Sequence, residues 1–233
     1  MTDNNDLEKA IGVQFKDKSL LERVFIHRSY LNEHKESNLE HNERLEFLGD
    51  AVLELAVTRY LYDSFKNPEG ELTNWRSALV KGESLSEEAK RLGLDPYIKT
   101  SRGEAKNAGK ARDIILANAF EALIGAIYLD RGFDIASEFI MNNICFKLDN
   151  ILEQGLQYDA KSKFQEMSQE KFGITPTYIV KSEVGPDHAK IFTVSANLGG
   201  KEVAIGEGPS KQRAQSNAAQ KALEVWDEIK KDI

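Results

Sequence analysis

The sequence predicts a multi-domain, mainly α-helical protein in which an all-helical domain is followed by a small α+β domain of order α-β-β-β-α. Apolar residues recur at helical spacing up to about residue 152, and alternating segments appear only after Pro176. The formal net charge of −7 lies wholly before Gln157, since 11 basic and 11 acidic residues balance from there onward. We therefore expect a helical domain over 1–152, a linker over 153–158 and an α+β domain over 159–229.

The composition is that of a soluble globular protein, with 41% hydrophobic and 30% charged residues among 233. No apolar run reaches the length of a membrane span, and the N-terminus lacks the basic and apolar regions of a secretory signal. The only cysteine, Cys145, cannot form an internal disulfide and is expected to be a buried thiol. These features predict a cytoplasmic protein without membrane contact.

The longest periodic segment is HNERLEFLGDAVLELAVTRYLYDSF, in which Leu45, Leu48, Val52 and Leu55 repeat at intervals of three and four. This spacing predicts a helix with a buried apolar stripe. Single helices are also expected over KSLLERVFIHRSY and DIASEFIMNNICFKLDNILEQ, and no convincing strand precedes residue 155.

The C-terminal part begins with a predicted helix over AKSKFQEMSQEKFG. Three alternating segments follow, TYIVKSEV, AKIFTVSANL and KEVAIGEG, and the turn residues between them favour a strand in each. The final helix is expected over SKQRAQSNAAQKALEVWDEI, with Ser210 as its N-cap.

Three carboxylates of the long helix, Glu43, Glu46 and Asp50, are spaced at i, i+3 and i+7 and share one face. Gly49 lies inside the same helix, where glycine costs about 1 kcal/mol relative to alanine. A glycine at such a position indicates that another backbone approaches the helix closely.

Asn118 and Glu121 form an i, i+3 pair in IILANAFEALIGAIYLD, a segment that is otherwise apolar until Asp130. If this helix crosses the long one, Glu46 and Asp50 meet Asn118 and Glu121. Such a cluster of oxygen ligands favours Mg²⁺, with Mn²⁺ as a substitute, and is typical of phosphodiester hydrolysis.

Two simpler interpretations stay open for these carboxylates. Glutamates at helical spacing commonly form a solvated face, which applies to Glu43 and Glu54. A buried glutamate is also commonly paired with a cation, so Glu121 could instead bind Arg44 or Arg112.

The same segments resemble the motifs of the ribonuclease III family. HNERLEFLGDAVL is similar to the family signature and ILANAFEALIGAIYLD to its second acidic motif, and IHRSY, LVKGESL and RGE also match. The C-terminal part resembles a double-stranded-RNA-binding domain in DAKSKFQE, PTY, GPDHAKIFTV and GEGPSKQRAQSNAA. The resemblance covers almost the whole chain.

The resemblance implies a homodimeric, metal-dependent endoribonuclease that cuts each strand of double-stranded RNA and needs no small-molecule cofactor. The products would carry 5′-phosphate and 3′-hydroxyl ends with short 3′ overhangs, and the substrates would include ribosomal RNA precursors and structured messenger transcripts. Asp50 and Glu121 would be catalytic, and Glu46, Asn118 and Glu121 would hold the metal. The family pattern has an aspartate at the position of Asn118, so we expect metal binding of lower affinity, because an amide oxygen is neutral.

The resemblance also implies roles for residues outside the metal site. Glu43 and Glu71 would line the RNA valley. Phe47 would contact the second protomer, although from the sequence alone it could equally be ordinary core.

In the C-terminal domain the RNA-binding residues would be Ser162, Gln165, His188, Lys211 and Arg213. A lone histidine in a turn, such as His188, is also compatible with simple solvent exposure. Two positions depart from the family pattern: Gln212 stands where a basic residue is usual, and Gln215 where glutamate is common. The alternative to the nuclease is a non-catalytic double-stranded-RNA-binding protein, for which Asn118 is the supporting feature.

Overall fold

The structure, a computed structural model, describes residues 4–35, 38–106, 108–153, 160–186 and 190–232. The helices are α1 (Asn4–Ile11), α2 (Lys18–Val24), α3 (Arg28–Glu33), α4 (Glu43–Ser64), α5 (Glu69–Val80), α6 (Gly82–Arg91), α7 (Lys110–Arg131), α8 (Phe133–Asn143), α9 (Leu148–Glu153), α10 (Ala160–Phe172), α11 (Lys211–Glu224) and α12 (Trp226–Asp232). The strands are β1 (Thr177–Val184), β2 (Ile191–Leu198) and β3 (Lys201–Gly208).

The chain forms two compact units, Met1–Gln157 and Tyr158–Ile233, each with its own apolar core. The predicted order, helices first and then α-β-β-β-α, is confirmed. Residues 154–158 of the predicted linker lie outside the described residues, as does residue 159.

The first unit is built around α4 and α7, its two 22-residue helices. Almost every side chain of α7 from Ile115 to Ile127 is buried, because other helices surround it. Glycines with positive φ, Gly109 before the helix and Gly132 after it, turn the chain at both ends. Cys145 is buried as expected, and burial raises the pKa of its thiol to about 12, so the thiol is unreactive.

The buried apolar stripe of α4 follows the predicted residues only in part. Leu45 and Val52 are buried, but Leu55 is 58% exposed, because the buried face continues through Leu53 and Val57 instead. Periodicity of three and four is satisfied by both faces in this leucine- and valine-rich segment, which is why the spacing alone did not separate them.

Three predicted single helices are interrupted. The chain breaks between α2 and α3 at Phe25–His27, where the His27 side chain accepts a hydrogen bond from the Ser29 amide. A second break follows α8, where the buried Asn143 donates to the Phe139 carbonyl at 2.7 Å. The final helix likewise ends at Glu224 before α12 begins.

The second unit is an antiparallel sheet of order β1-β2-β3 with α10 and α11 packed on one face. Ser210 caps α11 as predicted, its hydroxyl accepting from the Arg213 amide at 3.2 Å. A Cβ on Gly206 of β3 would lie 2.5 Å from the Ala214 carbonyl oxygen, so α11 lies directly on the strand. Within the described parts of both units, no helix has the length and apolar character required to cross a membrane.

Candidate active site

The two central helices cross backbone against backbone. A Cβ on Gly49 of α4 would lie 2.7 Å from the carbonyl carbon of Glu121, and nearer still to its oxygen. A Cβ on Gly125 of α7 would lie 3.1 Å from both the Leu45 carbonyl carbon and the Gly49 nitrogen. Both glycines are therefore required by the crossing, which accounts for the cost of Gly49 in the helix and brings one face of each helix together.

Glu121 lies at this crossing and has no cationic partner among the described residues. Its pKa is raised to about 7, first by burial and then by the negative charges of Asp50 and Glu46. The alternative of a buried ion pair is not observed in the described residues, and Arg112 instead pairs with Asp95 at 2.6 Å. Glu121 is thus a half-buried carboxylate facing two others across the crossing.

Glu46 and Asn118 interact directly. Burial raises the pKa of the half-buried Glu46, and the charges of Glu43 and Asp50 raise it further. The Asn118 side chain acts in the opposite direction, because it stabilises the charged carboxylate by hydrogen bonding. Asp50 is exposed and lies on the solvent side of the cluster.

The donors at the crossing are all oxygen atoms, which suits a hard divalent cation such as Mg²⁺. The fit is supported by the raised pKa values of Glu46 and Glu121, since a bound cation would favour the charged form that burial, and then the neighbouring negative charges, disfavour. In the described residues, however, no three His, Cys, Asp or Glu side chains are close enough together to form a metal cage. Asn118, the remaining oxygen donor at the crossing, is an amide and lies outside that set of residue types.

Glu43 and Glu71, the two acids expected to line an RNA valley, have partners of their own. Glu43 is at the first turn of α4, 3.3 Å from Arg28, and its charge reaches Glu46. Glu71, at the first turn of α5, accepts a hydrogen bond from Asn67 at 2.7 Å. Glu71 is not among the carboxylates whose charge raises the pKa of Glu121.

Asn42 is a positioning residue that the sequence reasoning missed. It is 4% exposed. Its side-chain Nδ2 donates a hydrogen bond to the Val24 carbonyl at 2.8 Å, and its backbone N–H donates one to the Ile26 carbonyl at 2.9 Å. Its own carbonyl accepts from the Glu46 amide. Asn42 therefore fixes the start of α4 to the turn after α2. A polar residue directly before a predicted helix was the available signal, although its side chain does not cap α4 itself.

Phe47 is not core, because 81% of its surface is exposed. It borders a cavity of about 530 Å³ whose rim includes Leu129, itself 54% exposed. An aromatic side chain exposed beside an apolar cavity is typical of a protein–protein contact.

Four of the five predicted RNA-binding residues of the second unit lie on α10 and α11. Ser162 and Gln165 are exposed on α10. Lys211 and Arg213 are exposed in the first turn of α11, where the helix N-terminus adds partial positive charge. His188 lies outside the described residues.

Comparison with known proteins identifies the family of each of the two units. Residues 17–148 match the family described as Ribonuclease-III-like, and residues 160–225 match the double-stranded RNA binding motif. "Ribonuclease 3" of Streptococcus gordonii is 44% identical over 222 residues, which cover 94% of this chain and 95% of that protein. "Ribonuclease 3" of Chloroflexus aurantiacus is 41% identical over 225 residues, covering 95% and 91%.

The first unit also resembles a solved structure. The nuclease domain of ribonuclease III from Campylobacter jejuni, whose description mentions a region involved in dimer formation, aligns with a TM-score of 0.54 and 41% identity. The alignment covers 60% of this chain and 98% of that one. The chain therefore belongs to the ribonuclease III family.

Proposed function

We propose that this protein is an endoribonuclease that hydrolyses double-stranded RNA with the help of a divalent metal ion, preferably Mg²⁺. The observation that carries the proposal is the crossing at Gly49 and Gly125, which presents the unneutralised carboxylates of Glu46, Asp50 and Glu121 to one another. Family membership supports the same activity.

Glu46, Glu121 and the amide oxygen of Asn118 would hold the ion. When bound, the ion supplies a water of lowered pKa and offsets charge on the phosphate oxygens. Asp50, on the solvent side, can accept a hydrogen bond from the attacking water and orient it. The half-buried setting of Glu121 excludes part of the solvent and strengthens its attraction for a cation.

A homodimer is the proposed form of the enzyme. Phe47 is exposed in its own unit, and the neighbouring cavity of about 530 Å³ offers a place for an apolar side chain of a second copy. Two copies would supply two sites, one for each strand of a duplex. Glu43 and Glu71 would then line the RNA valley between them.

The second unit would bind the duplex by shape and phosphate contacts, as A-form RNA requires. Ser162 and Gln165, with His188 from the β1–β2 turn, would contact minor grooves, and Lys211 and Arg213 would contact phosphates. We further propose 5′-phosphate and 3′-hydroxyl products with short 3′ overhangs, a role in processing ribosomal and messenger RNA, and a cytoplasmic setting.

The test is cleavage of an end-labelled RNA duplex by the full chain across Mg²⁺ concentrations, alongside Asn118→Asp and Glu121→Gln. We expect magnesium-dependent cuts in the duplex, a lower magnesium requirement for Asn118→Asp, and loss of cleavage in Glu121→Gln. Duplex binding without cleavage by either the natural chain or Asn118→Asp, at any metal concentration, would instead favour the non-catalytic RNA-binding protein.

A further inference from the structure

Lys161, at the start of α10, has two neutral partners among the residues that the structure describes. Its Nζ donates to the Gln215 side-chain oxygen at 2.8 Å and lies 5.1 Å from the centroid of the Tyr178 ring. Among the described residues Lys161 forms no ion pair with a carboxylate. An amide oxygen and an aromatic ring orient an ammonium group without neutralising its charge.

The position of Lys161 joins the two groups of RNA-facing residues. It directly precedes Ser162 on α10. Its partner Gln215 is four residues after Lys211, so both lie on the same face of α11. The ammonium group of Lys161 therefore extends the basic edge of α11 toward α10.

We propose that Lys161 is a further phosphate-contacting residue of the double-stranded-RNA surface, and that Gln215 is the positioning residue that keeps its charge available. The inference rests on the proposed RNA-binding function. A glutamate at position 215 would put a carboxylate oxygen where the amide oxygen now accepts, and the resulting ion pair would compete with RNA phosphates for the same ammonium group.

The inference also explains why two departures from the family pattern occur together on one helix. Gln212 lacks the usual basic side chain, which removes one cation from the edge. Gln215 lacks the usual carboxylate, which leaves the Lys161 charge uncompensated. The second change offsets the first, so the surface keeps the same number of cations available to phosphates.

The test is the salt dependence of duplex binding by the full chain, measured by fluorescence anisotropy without divalent cations so that the RNA stays intact. Lys161→Met keeps the aliphatic stem against Tyr178 and removes the charge. We expect the slope of log affinity against log salt to fall by about 0.9, and the affinity to fall about fivefold at 0.15 M salt. Gln215→Glu should lower the slope similarly, because the new carboxylate would pair with the Lys161 ammonium group.

Lys221 is an exposed lysine in the last turn of α11, so Lys221→Met is the matched control and should leave the slope unchanged. Thermal melting of each variant checks that it is folded. The inference is overturned if Lys161→Met keeps the slope of the natural chain while Lys211→Ala lowers it, or if Gln215→Glu leaves the slope unchanged. A natural chain that binds no duplex overturns the proposed function itself, and this inference with it.

Discussion

Replacing Gly49 with alanine tests whether the close crossing of α4 and α7 builds the site. The new methyl group would lie 2.7 Å from the carbonyl carbon of Glu121 and 2.9 Å from the nitrogen of Gly125. Carbon atoms in contact prefer about 3.5–4.0 Å, and the Glu121 carbonyl oxygen would lie closer still, so the helices must separate by at least about 1 Å. Both neighbours are backbone atoms in helices and cannot rotate away.

The magnitude follows from two opposing terms. Alanine gains about 1 kcal/mol of helix propensity over glycine. Overpacking of a tight interior contact costs about 3 kcal/mol when the backbone must move. We therefore expect Gly49→Ala to lower the free energy of unfolding by about 2 kcal/mol. Because a misplacement of about 1 Å can cost about 100-fold in rate, cleavage should fall more than stability alone explains.

The assay combines urea denaturation with duplex cleavage under conditions in which both proteins are folded. Gly70→Ala is the matched control, because Gly70 is also helical and no atom lies within 4 Å of its added methyl group. Gly70→Ala should leave stability unchanged or raise it slightly. A Gly49→Ala protein that is as stable and as active as Gly70→Ala would refute the backbone-to-backbone crossing.

Three other residues give predictions of the same kind. Without metal, the free energy of unfolding should fall by about 1–3 kcal/mol as pH rises from about 4.5 to 7. The reason is that the Glu121 pKa is raised to about 7 in the folded state, which therefore holds that proton more tightly than the unfolded chain does. In urea denaturation at several pH values, the unfolding free energy of Glu121→Gln should depend less on pH. Phe47→Ser should weaken self-association in sedimentation experiments without destabilising the monomer, since Phe47 is 81% exposed. Asn42→Ala should cost about 1–3 kcal/mol in urea denaturation, because the Val24 carbonyl loses its buried donor.

Each of these predictions has a contradicting result. Identical pH profiles for the natural chain and Glu121→Gln would show that Glu121 ionises normally. Tyr62→Ser removes another exposed aromatic residue of α4, so equal effects of Tyr62→Ser and Phe47→Ser on association would deny Phe47 a specific role. An unchanged urea midpoint for Asn42→Ala would show that the start of α4 is fixed by other contacts.

The strands of the second unit were predictable nearly residue by residue. The segments TYIVKSEV and KEVAIGEG coincide with β1 and β3, because alternation is bounded by turn residues on both sides. The breaks in the helices were not predictable in the same way. The end of α8 depends on the buried Asn143, whose side chain binds a carbonyl of its own helix and also accepts from Arg91. Such a contact joins residues distant in sequence and leaves no periodic signal.

At the site, the sequence indicated the carboxylates and Gly49, but it did not show which groups lie next to them or how exposed they are. Gly49 indicated a close approach, and the structure identifies the approaching backbone as that of Glu121. The exposure of Phe47 and Leu55 could not be predicted from the sequence, because exposed and buried apolar side chains can have the same spacing along a helix. The sequence could not show which partner Arg112 has, and the structure pairs it with Asp95 instead of Glu121.

The most direct test of the central claim is calorimetric titration of Mn²⁺ into the full chain, Asn118→Asp and Glu121→Gln. The crossing of α4 and α7 predicts one site per chain in the natural protein, tighter binding in Asn118→Asp because the donor becomes charged, and loss of the site in Glu121→Gln. Equal Mn²⁺ binding by the natural chain and Glu121→Gln would contradict the account, since the ion would then bind somewhere other than the helix crossing.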